Sequence, residues 1–321
     1  MLKKKLLILT AFLGALIGYV SAQEKPNMYF TDTSSGRPIA KDPKVVYFNG
    51  KYLMYYSIPG KTDEGWKIGI AQSKNLQQWD KIGELNKVAA YEKNGLCAPG
   101  AIVRGDTLHL FYQTYGNGPK DAICHAYSTD GIHFTRDHTN PIFHPSGSWN
   151  NGRAIDAEVA FYKDRYYLYF ATRDPSGEIQ MQGVAEAPRE SDFSRESWKQ
   201  VSDQPILKPE LPWEGKCIEA ASIIEKNGTL YMFYAGSYNN APQQIGLAKS
   251  LDGIHWERTA KTPFLPNGKV GEWNHSESGH PDIFKDKNGQ YYLFYQGNNN
   301  NGESWYLANK RLFWKETLPT Y

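Results

Sequence analysis

Five segments of the chain repeat one pattern: an apolar stretch, a short polar turn, and a second stretch rich in tyrosine and phenylalanine. The segments start at Asp42, Ala98, Asp156, Glu219 and His280. These starts are roughly 60 residues apart, and self-similarity at a fixed period indicates a repeat architecture. Each segment supplies two strands and is followed by more strand, so each repeat predicts one four-stranded antiparallel blade. Five such blades around a central channel form an all-β, five-bladed β-propeller.

The innermost strands of a propeller all begin at the same mouth of the channel. We therefore expect the residues that start the five segments to meet there, although they are far apart in the sequence. Asp42, Asp156, Glu219 and His280 carry groups that can do chemistry, and Ala98 fills the remaining position. Residues 23–39 are expected to add the strand that closes the ring.

A second repeat marks the outer part of two blades. Residues 128–134 and 250–256 both read S-x-D-G-I-H followed by an aromatic residue, and Asp-Gly is a tight hairpin signal. We place this hairpin between the third and fourth strands of a blade. His133 and His255 then lie away from the axis, and we interpret them as structural.

The chain opens like a secretory signal peptide. Three lysines at 3–5 precede an apolar run over 6–20, and small residues lead up to Ala22. The run is short for a membrane anchor, which needs ~20 apolar residues, so cleavage after Ala22 is favoured. We predict a signal peptide over 1–22 and a single propeller catalytic domain over 23–321, located in the periplasm or secreted.

Composition narrows the classes of partner. Lys and Arg total 36 against 34 Asp and Glu, and no basic stripe points to nucleic acid. No segment after the leader is apolar enough to span a membrane. The 22 tyrosines and 9 tryptophans suit sheets, and they also suit sugar-binding clefts. Cys97, Cys124 and Cys217 match no metal motif, and we interpret them as buried thiols. The oligomeric state stays open.

Three acidic residues at one channel mouth suit glycoside hydrolysis. An inverting glycosidase needs one carboxylic acid to protonate the leaving oxygen and one carboxylate to activate a water. A third carboxylate near the acid raises the pKa of that acid by like-charge repulsion. Asp42, Asp156 and Glu219 supply these three groups, although Glu158 is an alternative to Asp156.

The motifs around these residues resemble glycoside hydrolase family 43, whose five-bladed propellers are related to the invertase and levansucrase enzymes. The K-D-P motif at Asp42 is similar to the family's general-base motif in blade one. The I-D-A-E-V motif at Asp156 resembles the blade-three motif whose Asp raises the pKa of the acid. The I-E-A-A motif at Glu219 is similar to the general-acid motif, which in many members continues with Gly-Pro.

The resemblance also implies a role for His280. The Gly-His pair at this position is similar to a family motif whose imidazole faces a central cation or a water. We therefore name His280 as a candidate substrate-binding and metal-binding residue, with Ca²⁺ in the channel as the expected ion. The alternative is a core histidine with no metal.

Further candidate substrate ligands lie near the predicted mouth. Arg173 ends a second strand that returns to the mouth, and a guanidinium can bind hydroxyls or a carboxylate in a fixed fork. Its alternative is a salt bridge within the mouth, for which Asp156 is a candidate partner. Trp149, Trp213 and Trp273 each precede an inner strand. We expect them to form a rim that stacks on sugar rings, rather than only to cover the edge of the ring.

These features together predict an exo-acting, inverting glycosidase. The resemblance implies release of arabinofuranosyl, xylosyl or galactosyl-type units from plant polysaccharides. Three alternatives stay open: a non-catalytic carbohydrate-binding propeller, a retaining enzyme of the invertase type, and a phosphorylase. A phosphorylase needs several basic residues at the mouth, and the sequence offers only Arg153 and Arg173 as candidates.

Overall fold

The predicted five-bladed propeller is confirmed. A computed structural model describes residues 26–61 and 64–321, and these residues form five four-stranded antiparallel sheets. The predicted signal peptide over 1–22 lies outside the described residues. Within the two described stretches, no helix has the length and apolarity needed to cross a membrane.

The five blades follow one another along the chain, and strands are adjacent in sequence order within each blade. Blade one comprises β1 (Lys41–Phe48), β2 (Lys51–Pro59), β3 (Trp66–Ser73) and β4 (Asp80–Leu85). Blade two comprises β5 (Leu96–Arg104), β6 (Thr107–Thr114), β7 (Ile123–Ser128) and β8 (Thr135–Arg136). Blade three comprises β9 (Ile155–Tyr162), β10 (Arg165–Arg173), β11 (Gln180–Pro188) and β12 (Lys199–Gln200). Blade four comprises β13 (Ile218–Lys226), β14 (Thr229–Gly236), β15 (Gln244–Ser250) and β16 (Glu257–Arg258). Blade five comprises β17 (Glu277–Lys285), β18 (Tyr291–Asn298), β19 (Tyr306–Lys315) and β20 (Leu318–Thr320).

Helical structure in the described residues is limited to short 3-10 turns between strands. They span Ala90–Glu92, Gly118–Lys120, Arg195–Ser197 and Pro212–Glu214. The predicted hairpin turns also form as expected: the side chain of Asp130 accepts backbone hydrogen bonds from residues 132 and 133, and His133 is exposed. His133 and its counterpart His255 therefore lie far from the channel mouth, as predicted.

The hydrophobic core lies between neighbouring blades. Val46 and Tyr55 of blade one, for example, pack in one buried cluster with Leu110 and Tyr112 of blade two. Burying such a side chain contributes ~1.5–3 kcal/mol, so the apolar faces of the blades hold the ring together. The three cysteines are buried and unpaired, which confirms their interpretation as buried thiols.

The ring closes where blade five meets blade one. β17 packs against β1, and the outer strand of blade five, β20, comes from the C-terminal end of the chain. The N-terminal segment reinforces this joint through two isolated bridges, Phe30 with Leu307 and Ile39 with Trp305. The expected closing strand over 23–39 is thus reduced to two bridges in the part that the structure describes.

Each inner strand carries a β-bulge near its start, and the first bulge residue has a positive φ. These residues are Asp42, Ala98, Asp156, Ala220 and His280, with φ between 42° and 53°. The expected register is therefore wrong in blade four, where Ala220 and not Glu219 occupies the shared position. Glu219 comes one residue earlier and is paired with Ala235 of β14. A bulge adds an unpaired residue, which shifts the alternation that a sequence pattern assumes.

Candidate active site

The starts of the inner strands surround a cavity of about 220 Å³ at one mouth of the channel. Asp42, Asp156, Glu219 and His280 all line it, so the structure brings the four predicted residues together. Asp156, Glu219 and His280 are buried, the side chain of Asp42 is 12% exposed, and His280 contacts both Asp42 and Glu219. The catalytic roles assigned to them stay predictions.

Neighbouring blades fix the backbone of the acids. The backbone N–H of Asp42 donates to Gln296 Oε1 of blade five at 2.9 Å. The backbone N–H of Asp156 donates in the same way to Gln113 Oε1 of blade two, also at 2.9 Å. The amide side chain of the preceding blade thereby satisfies a donor that the bulge frees from the ladder.

His280 stands between Asp42 and Glu219. Its Nδ1 lies 3.0 Å from Asp42 Oδ1, and its Nε2 lies 3.0 Å from Glu219 Oε1. Burial alone would lower the pKa of this imidazole, but the charges of Asp42 and Glu219 and the hydrogen bond to Glu219 raise it to about 10. The ring is therefore an imidazolium at neutral pH, with one carboxylate on either side.

Two carboxamides hold the carboxylate of Glu219. Gln243 Nε2 donates to Oε1 at 2.6 Å, and Gln180 Nε2 donates to Oε2. Burial acts to raise the pKa of Glu219, but the hydrogen bond and charge of His280, together with Gln243, lower it to about 2. The expectation of a raised pKa at Glu219 is not met, because its partners stabilise the charged form.

Asp156 has the opposite environment. Its Oδ2 is buried without a hydrogen-bond partner among the described residues. Burial, joined by repulsion from Glu219 and Asp42, raises its pKa to about 7, although His280 acts against this. Asp156 therefore holds a proton more readily than Glu219 does, and the two carboxyl groups are close enough to titrate as a coupled pair.

The alternative pairing of Asp156 with an arginine does not occur. Arg153 Nε lies 3.4 Å from Asp121 Oδ2, and Arg173 makes no ion pair within 4.0 Å in the described residues. Arg173 does line the cavity, where its Nε donates to Gln180 Oε1 at 3.2 Å and its guanidinium lies over the ring of Tyr238. It is thus placed to meet a ligand.

Lys41 is a further cation in the cavity, and sequence reasoning did not name it as a ligand. Its Nζ donates to Asn239 Oδ1 at 2.8 Å and lies 4.8 Å from the ring centroid of Trp305. The charges of Asp42 and Glu277 act to raise its pKa, although burial opposes them. Among the described residues, Lys41 and Arg173 are therefore two cavity cations with no carboxylate oxygen within 4.0 Å.

The structure does not place the predicted aromatic rim around this cavity. Trp149, Trp213 and Trp273 do not line the cavity but pack on strands beside it. A Cβ on Gly236 of β14 would lie 2.3 Å from the ring of Trp213, and a Cβ on Gly183 of β11 would lie 3.0 Å from the ring of Trp149. Because these glycines have no side chain, the indole rings can pack directly on the strands, where they cover the edge of the propeller.

The sequence analysis missed the residues contributed by the third strands. Trp66 starts β3 and Gln180 starts β11, and both line the cavity. Third strands begin at the same mouth as first strands, since antiparallel neighbours alternate in direction. Tyr238 and Asn239, in the loop between β14 and β15, complete this side of the cavity.

The implied calcium ion does not fit these residues. Asp156, Glu219 and His280 offer donor atoms within 4.8 Å of one another, but Ca²⁺ takes six to eight oxygen ligands. Both ring nitrogens of His280 lie 3.0 Å from carboxylate oxygens, so neither nitrogen is free to ligate a metal.

Comparison with curated proteins finds sequence similarity to a 1,2-beta-oligomannan phosphorylase from Thermoanaerobacter sp. (strain X514). The two are 26% identical over 216 residues, which cover 61% of this chain and 64% of that protein. The chain therefore spans less than two thirds of the length of this relative.

Solved structures with the same fold cover nearly the whole chain. A thermostable family-43 glycoside hydrolase superposes with a TM-score of 0.70 at 22% identity, covering 91% of this chain and 95% of that one. An endo-1,4-beta-xylanase from Bacteroides thetaiotaomicron VPI-5482 gives a TM-score of 0.69 at 23% identity, covering 88% and 93%. The family model described as glycosyl hydrolases family 43 matches residues 35–316. The chain belongs to glycosyl hydrolase family 43.

Proposed function

We propose that the protein is a secreted or periplasmic glycosidase that acts on chain ends by inversion and releases a terminal arabinofuranosyl or xylosyl unit from a plant polysaccharide. The observation that carries the proposal is the arrangement of Asp42 and Glu219 on opposite nitrogens of His280. An intervening ring favours the wide spacing of ~6.5–9.5 Å between carboxyls in inverting enzymes over the ~5–5.5 Å of retaining ones.

In this proposal Asp42 acts as the general base. It takes a proton from the attacking water, while the bond from the anomeric carbon to the leaving oxygen breaks. Glu219 delivers a proton to that oxygen. Asp156 lies beside Glu219, with carboxylate oxygens within 4.8 Å of each other, and its negative charge opposes the ionisation of Glu219.

The size of the cavity supports action on single terminal units. Its volume of about 220 Å³ lies below the ~300–1,000 Å³ of pockets that hold drug-sized ligands. That space suits one pentose ring and not a run of several sugar units. Trp66, Tyr115 and Tyr238 supply aromatic surface around it.

Two variants and one product analysis test the proposal. Asp42→Asn should abolish turnover of every glycoside, because no base remains. Glu219→Gln should spare dinitrophenyl glycosides, whose leaving groups need little protonation, and lose activity on oligosaccharides. Proton NMR of the first-formed sugar should show an inverted anomer. Retention would support the invertase-type alternative, and binding without turnover a carbohydrate-binding propeller.

Phosphorolysis is a second candidate, favoured by one specific observation. Lys41 and Arg173 face the cavity without a carboxylate partner, and the curated relative is named as a phosphorylase. In that case phosphate would take the place of water as the nucleophile. The two reactions are separated by assaying with and without inorganic phosphate: a sugar 1-phosphate product, lost in Lys41→Met, would replace hydrolysis as the proposal.

A further inference from the structure

We propose that the ammonium group of Lys44 is the central cation of this propeller, so that the ring closes without a bound metal ion. This inference concerns the channel behind the active site and does not depend on the reaction catalysed there. It explains why the residues at the mouth do not fit calcium.

Lys44 places its charge at the meeting point of three blades. Lys44 comes directly after the two bulge residues of β1, Asp42 and Pro43, and its side chain is buried. Its Nζ lies 2.6 Å from Glu158 Oε2 of blade three and 3.1 Å from Asp282 Oδ1 of blade five. A single positive charge thus links strands that are not adjacent in the sequence.

The two carboxylates already have other donors. Glu158 Oε1 accepts the backbone N–H of Ile223 at 3.1 Å, and Asp282 Oδ2 accepts that of Val45 at 2.7 Å. The hydroxyl of Ser222 donates to Asp282 Oδ1 at 3.3 Å. The oxygens that could ligate a metal are therefore committed to the ammonium group and to neighbouring blades.

The remaining space supports the same conclusion. The channel cavity lined by these residues has a volume of about 30 Å³, and one water molecule needs ~10–15 Å³ of such space. A Ca²⁺ ion with its six to eight ligands has no place beside the ammonium group. A shorter, uncharged side chain at position 44 would open a pocket with two carboxylates and a hydroxyl, the oxygen donors that Ca²⁺ prefers.

The first arm of the test uses the full-length wild-type protein. After dialysis, metal analysis should find less than a tenth of an equivalent of calcium, and the thermal unfolding midpoint should be the same in EDTA and in millimolar CaCl₂. A stoichiometric calcium ion, or a lower midpoint in EDTA, would overturn the proposal without any variant.

The second arm tests whether the fold requires a positive charge at position 44. Lys44→Ser should lower the unfolding midpoint, and CaCl₂ should restore part of that loss while KCl at matched ionic strength should not. Lys51→Ser, at an exposed lysine of β2, is the control and should respond to neither salt. A folded Lys44→Ser that ignores calcium would overturn the proposal. If this variant does not fold, the double variant Lys44→Met with Glu158→Gln, which removes one positive and one negative charge, should fold. Because only one carboxylate is left there, its unfolding midpoint should not respond to calcium, and a response would overturn the proposal.

Discussion

Replacing Asp156 with asparagine would remove a carboxyl group whose ionised form is unfavourable in the folded protein. The pKa of Asp156 rises from its usual 3.8 to about 7, and one pKa unit corresponds to ~1.4 kcal/mol. The folded state binds this proton more tightly than the unfolded state, so the free energy of unfolding falls as pH rises from 3.8 to about 7. The loss over that window is ~4 kcal/mol, and Asp156→Asn does not suffer it.

The expected result is a pH-dependent gain in stability. Urea unfolding followed by tryptophan fluorescence should show Asp156→Asn and wild type nearly equal at pH 4. At pH 8 the variant should be more stable by up to ~4 kcal/mol. His280, with a pKa of about 10, remains charged throughout this range. Glu225→Gln, at an exposed carboxylate, should show no such divergence. Parallel curves for Asp156→Asn and wild type would refute the electrostatic reasoning.

Three further predictions address the site and the interior. In kinetics, Asp156→Asn should move the basic limb of the kcat/KM profile to lower pH, because the charge of Asp156 no longer opposes the ionisation of Glu219. An unmoved limb would mean that Asp156 has a structural role. Gly279→Ala should lower kcat/KM far more than Gly83→Ala. A Cβ at position 279 would lie 1.7 Å from Gln243 Oε1, whereas a Cβ at position 83 would make only ordinary van der Waals contacts. Equal effects of the two substitutions on kcat/KM would contradict this. Burial lowers the pKa of His109 to about 3, so the contribution of this residue to stability should fall as pH falls from ~6.5 towards 3. In urea unfolding, His109→Gln should therefore gain stability relative to wild type over that window, and a constant difference between the two would count against this reasoning.

The fold could be predicted because the repeat is long and its alternation is strong. Five copies of one apolar pattern leave few ways to bury their faces other than a closed ring. The convergence of Asp42, Asp156 and His280 followed from that ring alone. Glu219 was placed one residue out of register, since nothing in a strand pattern reveals where a bulge adds an unpaired residue.

Other parts of the site could not be predicted from side-chain type. Trp213 was expected to face sugar because indole rings line many sugar clefts, but the glycine at 236 offers it a flat surface to cover. That pairing joins residues from a loop and a strand, and only the three-dimensional packing reveals it. The roles of Gln180 and Gln243 were equally hidden, since an amide near a carboxylate leaves no mark in the sequence.

The left-handed backbone at the inner-strand starts bears on how such a site changes over time. Ala98 and Ala220 adopt the same positive φ as Asp42 and Asp156, yet carry no functional group. The strain, ~1–2 kcal/mol for each such residue, therefore belongs to the architecture and not to the reaction. Evolution can exchange the side chain at any of the five positions without a new backbone cost. A carboxylate introduced at Ala98 would enter the site on a main chain that is already in place.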